Sequence, residues 1–379
     1  MPPVPLRVVH VQKATGIGGS EHHLLTLLTR FDREEVTPHL LVLEDSAHPA
    51  RTFLAKIVRV GLSHEVVPIS GHLDPLLPLR LVRTFRRWRP DVVHTHLLHA
   101  DLYAIPAARL AGVGAVVSTK HGGDPFRRGV VGRADAAIAR LADRVIVISD
   151  HLKGFYSDVE GIPAGKLIRI YYGLDDHGPP VDPTAVRREF AIDEGIPLAG
   201  AVARLEEAKG HRHLLAAFAR LRTELPAARL LLAGSGLQER ALRAQSAALG
   251  LDEAVIFAGF RDDVDRVMAS LDLVVVPSLW EGFGLVLLEA MRAGRAVVAT
   301  AVSAIPEVLV DGVTGLLVSP GDEAALAAAM ASLLRDPPRR AAMGAAGRAR
   351  LHAAFSVEAM VRSTVEVYRE VAAPRGGRS

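Results

Sequence analysis

The stretch PSLWEGFGLVLLEAMRAG at residues 277–294 decides how this chain is read. It follows a short apolar run, LDLVVV (271–276), and passes through Gly282 and Gly284 into a pattern with helical spacing. A glycine-rich turn at a helix start presents backbone N–H groups and the positive end of the macrodipole, which suits a phosphate. Two carboxylates flank the turn, Glu281 before it and Glu289 inside the helix. Glu281 can reach a group on one side of such a phosphate and Glu289 hydroxyls on the other. One loop then grips a sugar, a diphosphate and a ribose. The plain alternative is a helix start with an ordinary acidic first turn.

Outward from this stretch, short apolar runs alternate with helical patterns. On either side lie LAGAVARL (198–205), ARLLLAGSG (228–236), AVIFAGF (254–260), AVVAT (296–300) and GLLVSP (315–320). The first half repeats the scheme with LRVVHV (6–11), HLLVLE (39–44), DVVHTH (91–96), AVVST (115–119) and RVIVIS (144–149). Helical spacing separates them, as in EHHLLTLLTRF (21–31) and PLRLVRTFRRWR (78–89). Buried strands alternating with helices predict parallel, doubly wound sheets. Between the halves, GLDDHGPPVDP (173–183) has linker chemistry. The expected architecture is two Rossmann-like α/β domains facing across a cleft, residues 1–177 and 178–354. A closing helix, FSVEAMVRSTVEVYREVAA (355–373), is expected to pack back onto the first domain. A Gly/Arg/Ser tail after 373 is expected to fray. Ligands of such sheets bind at the carboxyl ends of the strands, so functional residues are sought there.

The chain has 379 residues, which favours two domains over one, since single cores stop growing at about 250–300 residues. It contains no Cys, which removes disulfides, zinc–thiolate sites and thiol nucleophiles. Lys plus Arg is 45 against 42 Asp plus Glu, too balanced for a dedicated nucleic-acid binder. No stretch approaches the roughly 18 apolar residues of a spanning helix, and the start lacks a signal-peptide pattern. A cytoplasmic protein is expected, with any membrane contact peripheral. Arg80, Arg83, Arg86, Arg87 and Arg89 crowd one helical segment that can touch an anionic membrane, with Phe126, Arg127 and Arg128 as a second contact. A solvated basic face is the simpler account.

Three further clusters follow strands. VARLEEAKG (202–210) brings Arg204 and Lys209 to a turn, a planar fork and a point charge suited to an oxygen-rich anion. GIGGSE (16–21) resembles a dinucleotide fingerprint, yet G-x-G-x-x-G needs Gly where Glu21 stands. HTHLLH places His94, His96 and His99 after a strand, and H-x-H spacing can ligate zinc with recruits such as Asp101, His121 or His151. Leu98 occupies the position where the common hydrolase pattern has Asp.

Taken together these segments bear a resemblance. EGFGLVLLE is similar to the E-x7-E motif of retaining family 4 (group 1) glycosyltransferases of the two-Rossmann-domain, GT-B type. GIGGSE, PDVVHTHLLHADLYA (90–104), VARLEEAKG and SAIPEVLVDGVTGLLVSPGD (303–322) resemble that family's other motifs, in order, across both domains. The resemblance implies transfer of a hexose-type sugar from a UDP- or GDP-linked donor to an acceptor hydroxyl, with retention of anomeric configuration. The acceptor is a glycan, lipid-linked or small molecule. It implies that Glu281 binds the donor sugar, Glu289 the ribose, and Arg204 and Lys209 the diphosphate. Gly18, Gly19, Gly282, Phe283, Gly284 and Leu285 complete the implied donor site. His121, in STKHGGD, is placed beside the reacting sugar, and His96 and His99 on the acceptor side. No metal and no cofactor are expected. Two departures stand out: Tyr172 occupies a position where the family often has Asn, and Ser303 and Ala304 replace a frequent Gly pair. The rival functions are a sugar-nucleotide epimerase of similar architecture, a zinc hydrolase centred on HTHLLH, and a binding protein without turnover.

Overall fold

The computed structural model describes residues 4–14, 16, 18–45, 47–71, 74–122, 130–176 and 181–373. Phe126, Arg127 and Arg128, the centre of the 173–183 linker and the tail after 373 lie outside the described residues. The chain divides into two compact units, Met1–Gly173 with Val357–Ser379, and Leu174–Ser356.

The first unit is built on strands β1 (Leu6–Lys13), β2 (Val36–Asp45), β3 (His64–Ile69), β4 (Val92–His96), β5 (Ala115–Lys120), β6 (Arg144–Val147) and β7 (Leu167–Arg169). They form one sheet in the order β3-β2-β1-β4-β5-β6-β7, all neighbours parallel. Helices cross between strands, as in Gly19–Arg30 after β1 and Leu97–Ala111 after β4. The order reverses between β1 and β4, the switch point at which ligands of such sheets bind. One face packs Val8, Leu40, Val42, Val92 and Val117 against Leu24, Leu28, Met360 and Tyr368. Tyr368 belongs to the last helix, Val357–Ala372, which Arg369 also ties to Glu35 at 2.8 Å. Burying side chains of this size contributes about 1.5–3 kcal/mol each, which holds the chain's end in this unit.

The second unit contains β8 (Leu198–Val202), β9 (Arg229–Ala233), β10 (Val255–Gly259), β11 (Leu273–Val276), β12 (Ala296–Thr300) and β13 (Gly315–Val318). Their order is β10-β9-β8-β11-β12-β13, again parallel throughout, with the switch point between β8 and β11. Leu230, Leu232, Val275 and Val298 pack beneath Leu214, Phe218, Leu326 and Met330. Both units are therefore doubly wound α/β sheets.

Candidate active site

In the second unit, two loops meet at the β8/β11 switch point. The loop after β8 carries Arg204 and Lys209; the loop after β11 runs from Pro277 to Gly284. Leu279 N–H donates to Ala208 O at 2.8 Å, which locks the loops together. Gly210 makes this possible. Its φ is +66°, and a Cβ there would lie 1.9 Å from Pro277 O. Only glycine permits that backbone approach. Gly284, at φ +86°, caps the helix Leu285–Arg292, so the glycine turn leads into a helix start.

The loops bring Lys209 Nζ to 2.6 Å from Glu281 Oε2, both side chains largely buried. Ser278 Oγ is 3.4 Å from the same oxygen. The Glu281 N–H donates to Ser303 Oγ at 3.4 Å. Ser303, where a glycine pair is frequent in the resembling family, sits at φ +48°. That left-handed conformation favours glycine, and its strain is spent at the candidate site. Arg204 is exposed and paired with Glu206 at 2.5 Å. Phe283 is buried and packs edge-on against Phe355, so its ring faces the core rather than a ligand. Gly282 is buried and Leu285 half-buried. Glu289 is half-buried on the helix, and desolvation pushes its carboxyl up to about 7 despite Arg292 nearby.

In the first unit, the carboxyl edge of β1, β4 and β5 carries buried polar groups on both faces. On one face, Asp101 accepts from Ser118 Oγ at 2.9 Å and from Lys120 Nζ at 2.7 Å, and Lys120 also reaches Asp135 at 2.6 Å. Burial works against the Lys120 ammonium, but the two carboxylates hold it above the ordinary lysine range. Burial raises the Asp101 carboxyl. On the other face, His10 of β1 stands beside His94 of β4, and Gln12 beside His96. His96 is fully buried, with one ring nitrogen 3.0 Å from His10 and the other 3.0 Å from His121. It was expected on the acceptor side; here it is buried and both its ring nitrogens are bonded within the protein. His121 is half-buried and its Nδ1 lies 2.5 Å from the Tyr172 hydroxyl. Both of its ring nitrogens are thus engaged within the protein. Desolvation pushes His10 and His121 down to about 3, and His23, His94 and His96 well below the usual histidine value.

His99 lies apart on the helix Leu97–Ala111, its ring near Tyr103. His10, which the reading of the sequence did not single out, takes its place beside His94 and His96, with ring nitrogens all within 4.8 Å. The imidazoles bond to one another, to Tyr368 and to Thr119, and among the described residues no carboxylate accompanies the trio to offset a buried divalent charge. His151 is exposed on the helix Asp150–Gly154. Gly18, at the start of the helix Gly19–Arg30, donates its N–H to Glu21 Oε2 at 2.9 Å, and a Cβ on Gly19 would meet nothing within 4 Å. The arginine-rich helix Leu77–Trp88 is partly neutralised: Arg80 pairs with Asp74 and Arg87 with Glu65. Among the described residues, no helix is long and apolar enough to cross a membrane.

The sequence profile of the Glycosyltransferase Family 4 matches residues 17–177, and that of the Glycosyl transferases group 1 matches residues 182–350. A glycogen synthase of Mycobacterium tuberculosis is 31% identical over 398 aligned positions, covering 96% of this chain and 92% of that one. The chain belongs to the family 4, group 1 glycosyltransferases. A D-inositol 3-phosphate glycosyltransferase of Segniliparus rotundus is 33% identical to this glycosyltransferase, covering 76% of it and 68% of the relative. Among solved structures, Anabaena HepE in complex with UDP and glucose superposes with a TM-score of 0.85. The two are 24% identical, with 96% of this chain and 99% of that one covered. Sucrose-phosphate synthase from Thermosynechococcus elongatus superposes at 0.80 with 22% identity, over 97% of this glycosyltransferase and 99% of its own chain. These neighbours share its fold.

Proposed function

We propose that this glycosyltransferase moves a hexose-type sugar from a UDP- or GDP-linked donor to a hydroxyl of a glycan, lipid-linked or small-molecule acceptor, with retention. The observation that carries the proposal is the Lys209–Glu281 pair, held at the β8/β11 switch point by loops that cannot separate without moving Gly210. A cation and a carboxylate side by side match a ligand with a diphosphate next to a hydroxyl-rich ring. Lys209, joined by Arg204, stabilises the charge that develops on the departing diphosphate. Glu281 orients the sugar hydroxyls, and Glu289 accepts from the ribose. The acceptor attacks on the face the diphosphate leaves, and a phosphate oxygen takes its proton. This route needs positioning and fixed charge rather than a metal ion. The enzyme works in the cytoplasm, where nucleotide sugars are made.

A panel of UDP- and GDP-hexoses tests this by thermal shift and by donor consumption. A donor that binds only the folded state raises its stability by mass action. Proton NMR of the product then reads the anomeric configuration. Inversion, or no stabilisation by any nucleotide sugar, would overturn the proposal.

A further inference from the structure

Four histidines of the first unit, His10, His94, His96 and His121, form one unbroken chain with two tyrosines and a threonine. From the carboxyl edge inward it runs from the Tyr172 hydroxyl to His121 Nδ1 at 2.5 Å. His121 Nε2 then meets His96 Nδ1 at 3.0 Å, and His96 Nε2 meets His10 Nδ1 at 3.0 Å. His10 Nε2 meets the Tyr368 hydroxyl at 3.4 Å, the longest link. Tyr368 continues to His94 Nδ1 at 2.6 Å, and His94 Nε2 to Thr119 Oγ1 at 2.6 Å. Every member except His121 is buried. His23 stacks on Tyr172 with ring centroids 4.2 Å apart, which fixes that phenol independently of its hydroxyl.

A neutral imidazole has one N–H and one bare nitrogen, so it donates once and accepts once. Each link holds a single proton. The chain therefore has two self-consistent arrangements. In one, all four imidazoles carry the proton on Nε2 and donate inward, ending on Thr119. In the other, all four carry it on Nδ1 and donate outward, ending on Tyr172. A mixed arrangement sets two N–H groups or two lone pairs against each other where imidazole meets imidazole, or leaves the phenol hydrogen or a ring nitrogen unpaired at Tyr368, inside the core, which is costly.

We propose that Tyr172, His96, His10, Tyr368, His94 and Thr119 are positioning residues that fix the ring orientation and tautomer of His121 as a single coupled unit. Among the members of the chain His121 alone is half-buried, at the carboxyl edge of β5. The coupling explains Tyr172: its hydroxyl supplies the outer partner of His121. The consequence for catalysis rests on the glycosyltransferase reading. There, Thr119→Val lowers kcat and leaves the donor KM unchanged, because Thr119 is buried beneath the edge.

The chain itself is tested without substrate, by long-range 15N–1H correlation spectra of the full-length protein labelled at histidine. Tyr172→Phe leaves His121 Nδ1 without a partner. A buried orphan N–H is rarer than an orphan acceptor, so the proton moves to Nε2 in all four rings. Thr119→Val orphans His94 Nε2 and drives all four to Nδ1–H. Tyr368→Phe cuts the chain: His94 takes Nε2–H, while His10, His96 and His121 take Nδ1–H. Each variant has its own expected tautomer, so any one that folds is decisive. A variant in which His10 and His96 do not take the tautomer named for it, Nε2–H in Tyr172→Phe or Nδ1–H in Thr119→Val, overturns the coupling, whatever the enzyme's donor proves to be.

Discussion

The Lys209 ammonium lies 2.6 Å from the Glu281 carboxylate, although 72 residues separate them in sequence. Each is the other's counter-ion until a ligand arrives. A diphosphate competes for the lysine and a sugar for the glutamate, so binding exchanges one satisfied pair for two. Lys209→Ala should lower turnover by about 10²–10³-fold, the usual cost of one preorganised charge contact. Arg204→Ala should act in the same direction. Arg204 is exposed, and among the described residues its side chain bonds to neighbouring Glu206 alone, so its loss should leave the melting temperature unchanged, whereas Lys209→Ala strands Glu281 and lowers it. Steady-state rates and melting curves of both variants check this; wild-type turnover in both removes the phosphate assignment.

The two glutamates should separate by role. Glu281→Gln should reduce turnover and leave affinity for the bare nucleoside diphosphate nearly unchanged. Glu289→Gln should weaken both the nucleotide and the donor, by about 1.5–3 kcal/mol for a lost charge-assisted bond. Desolvation holds the Glu289 carboxyl at about 7, above its unfolded value of 4.5. Nucleotide affinity carried by the ionised form therefore falls as pH drops below about 7, and Glu289→Gln should flatten that dependence. The linkage to stability has the opposite sense. The raised value stabilises the fold below pH 4.5, and that contribution is lost as pH rises through 7. Calorimetric titration of wild type and both variants across this window is the measurement.

Activity should survive EDTA. The positive charge at the candidate donor site comes from Lys209 and Arg204, and Glu281 is already neutralised by a protein cation. Loss of activity on chelation, restored by zinc or manganese, would move the centre of the chemistry to the histidines.

Gly210→Ala should cost about 2–5 kcal/mol, the sum of a left-handed alanine and an overpacked contact with Pro277 O. Gly19→Ala meets nothing within 4 Å and should be tolerated. Chemical denaturation of the two variants distinguishes them.

Acid should unfold the first unit before the second. His10, His23, His94, His96 and His121 are held neutral by burial, below the ordinary value of 6.5. Unfolding lets them protonate, so the stability they conserve is present above pH 6.5 and is lost as pH falls towards 3. At pH 5 His10 and His121, lowered to about 3, each forfeit about 2 kcal/mol. Among the described residues, the second unit has one buried histidine of this kind, His211, lowered to about 4. The chain's two tryptophans divide between the units, Trp88 in the first and Trp280 in the second. Fluorescence of Trp280→Phe and Trp88→Phe therefore follows each unit separately. Coincident acid transitions would contradict the account.

The sequence by itself determined the alternation of strands and helices, because fully buried parallel strands must be apolar runs. It also marked the glycine turn at 282–284, because a strand-to-helix turn with close backbone contacts has few alternatives to glycine. The edge strands β3 and β7 escaped notice: HEVVPI is partly exposed and contains Pro68, and β7 spans only Leu167–Arg169. Only the tertiary structure decided which polar residues share a network. The alternation along β4 shows that His94 and His96 lie on one face and Thr95 on the other. Nothing local shows that His10 stands beside them, that Tyr368 arrives from 358 residues away, or that Tyr172 closes on His121. Hydrogen bonds are made across strand order and helix docking, and those are set by the packing of the whole unit rather than by any short stretch of chain.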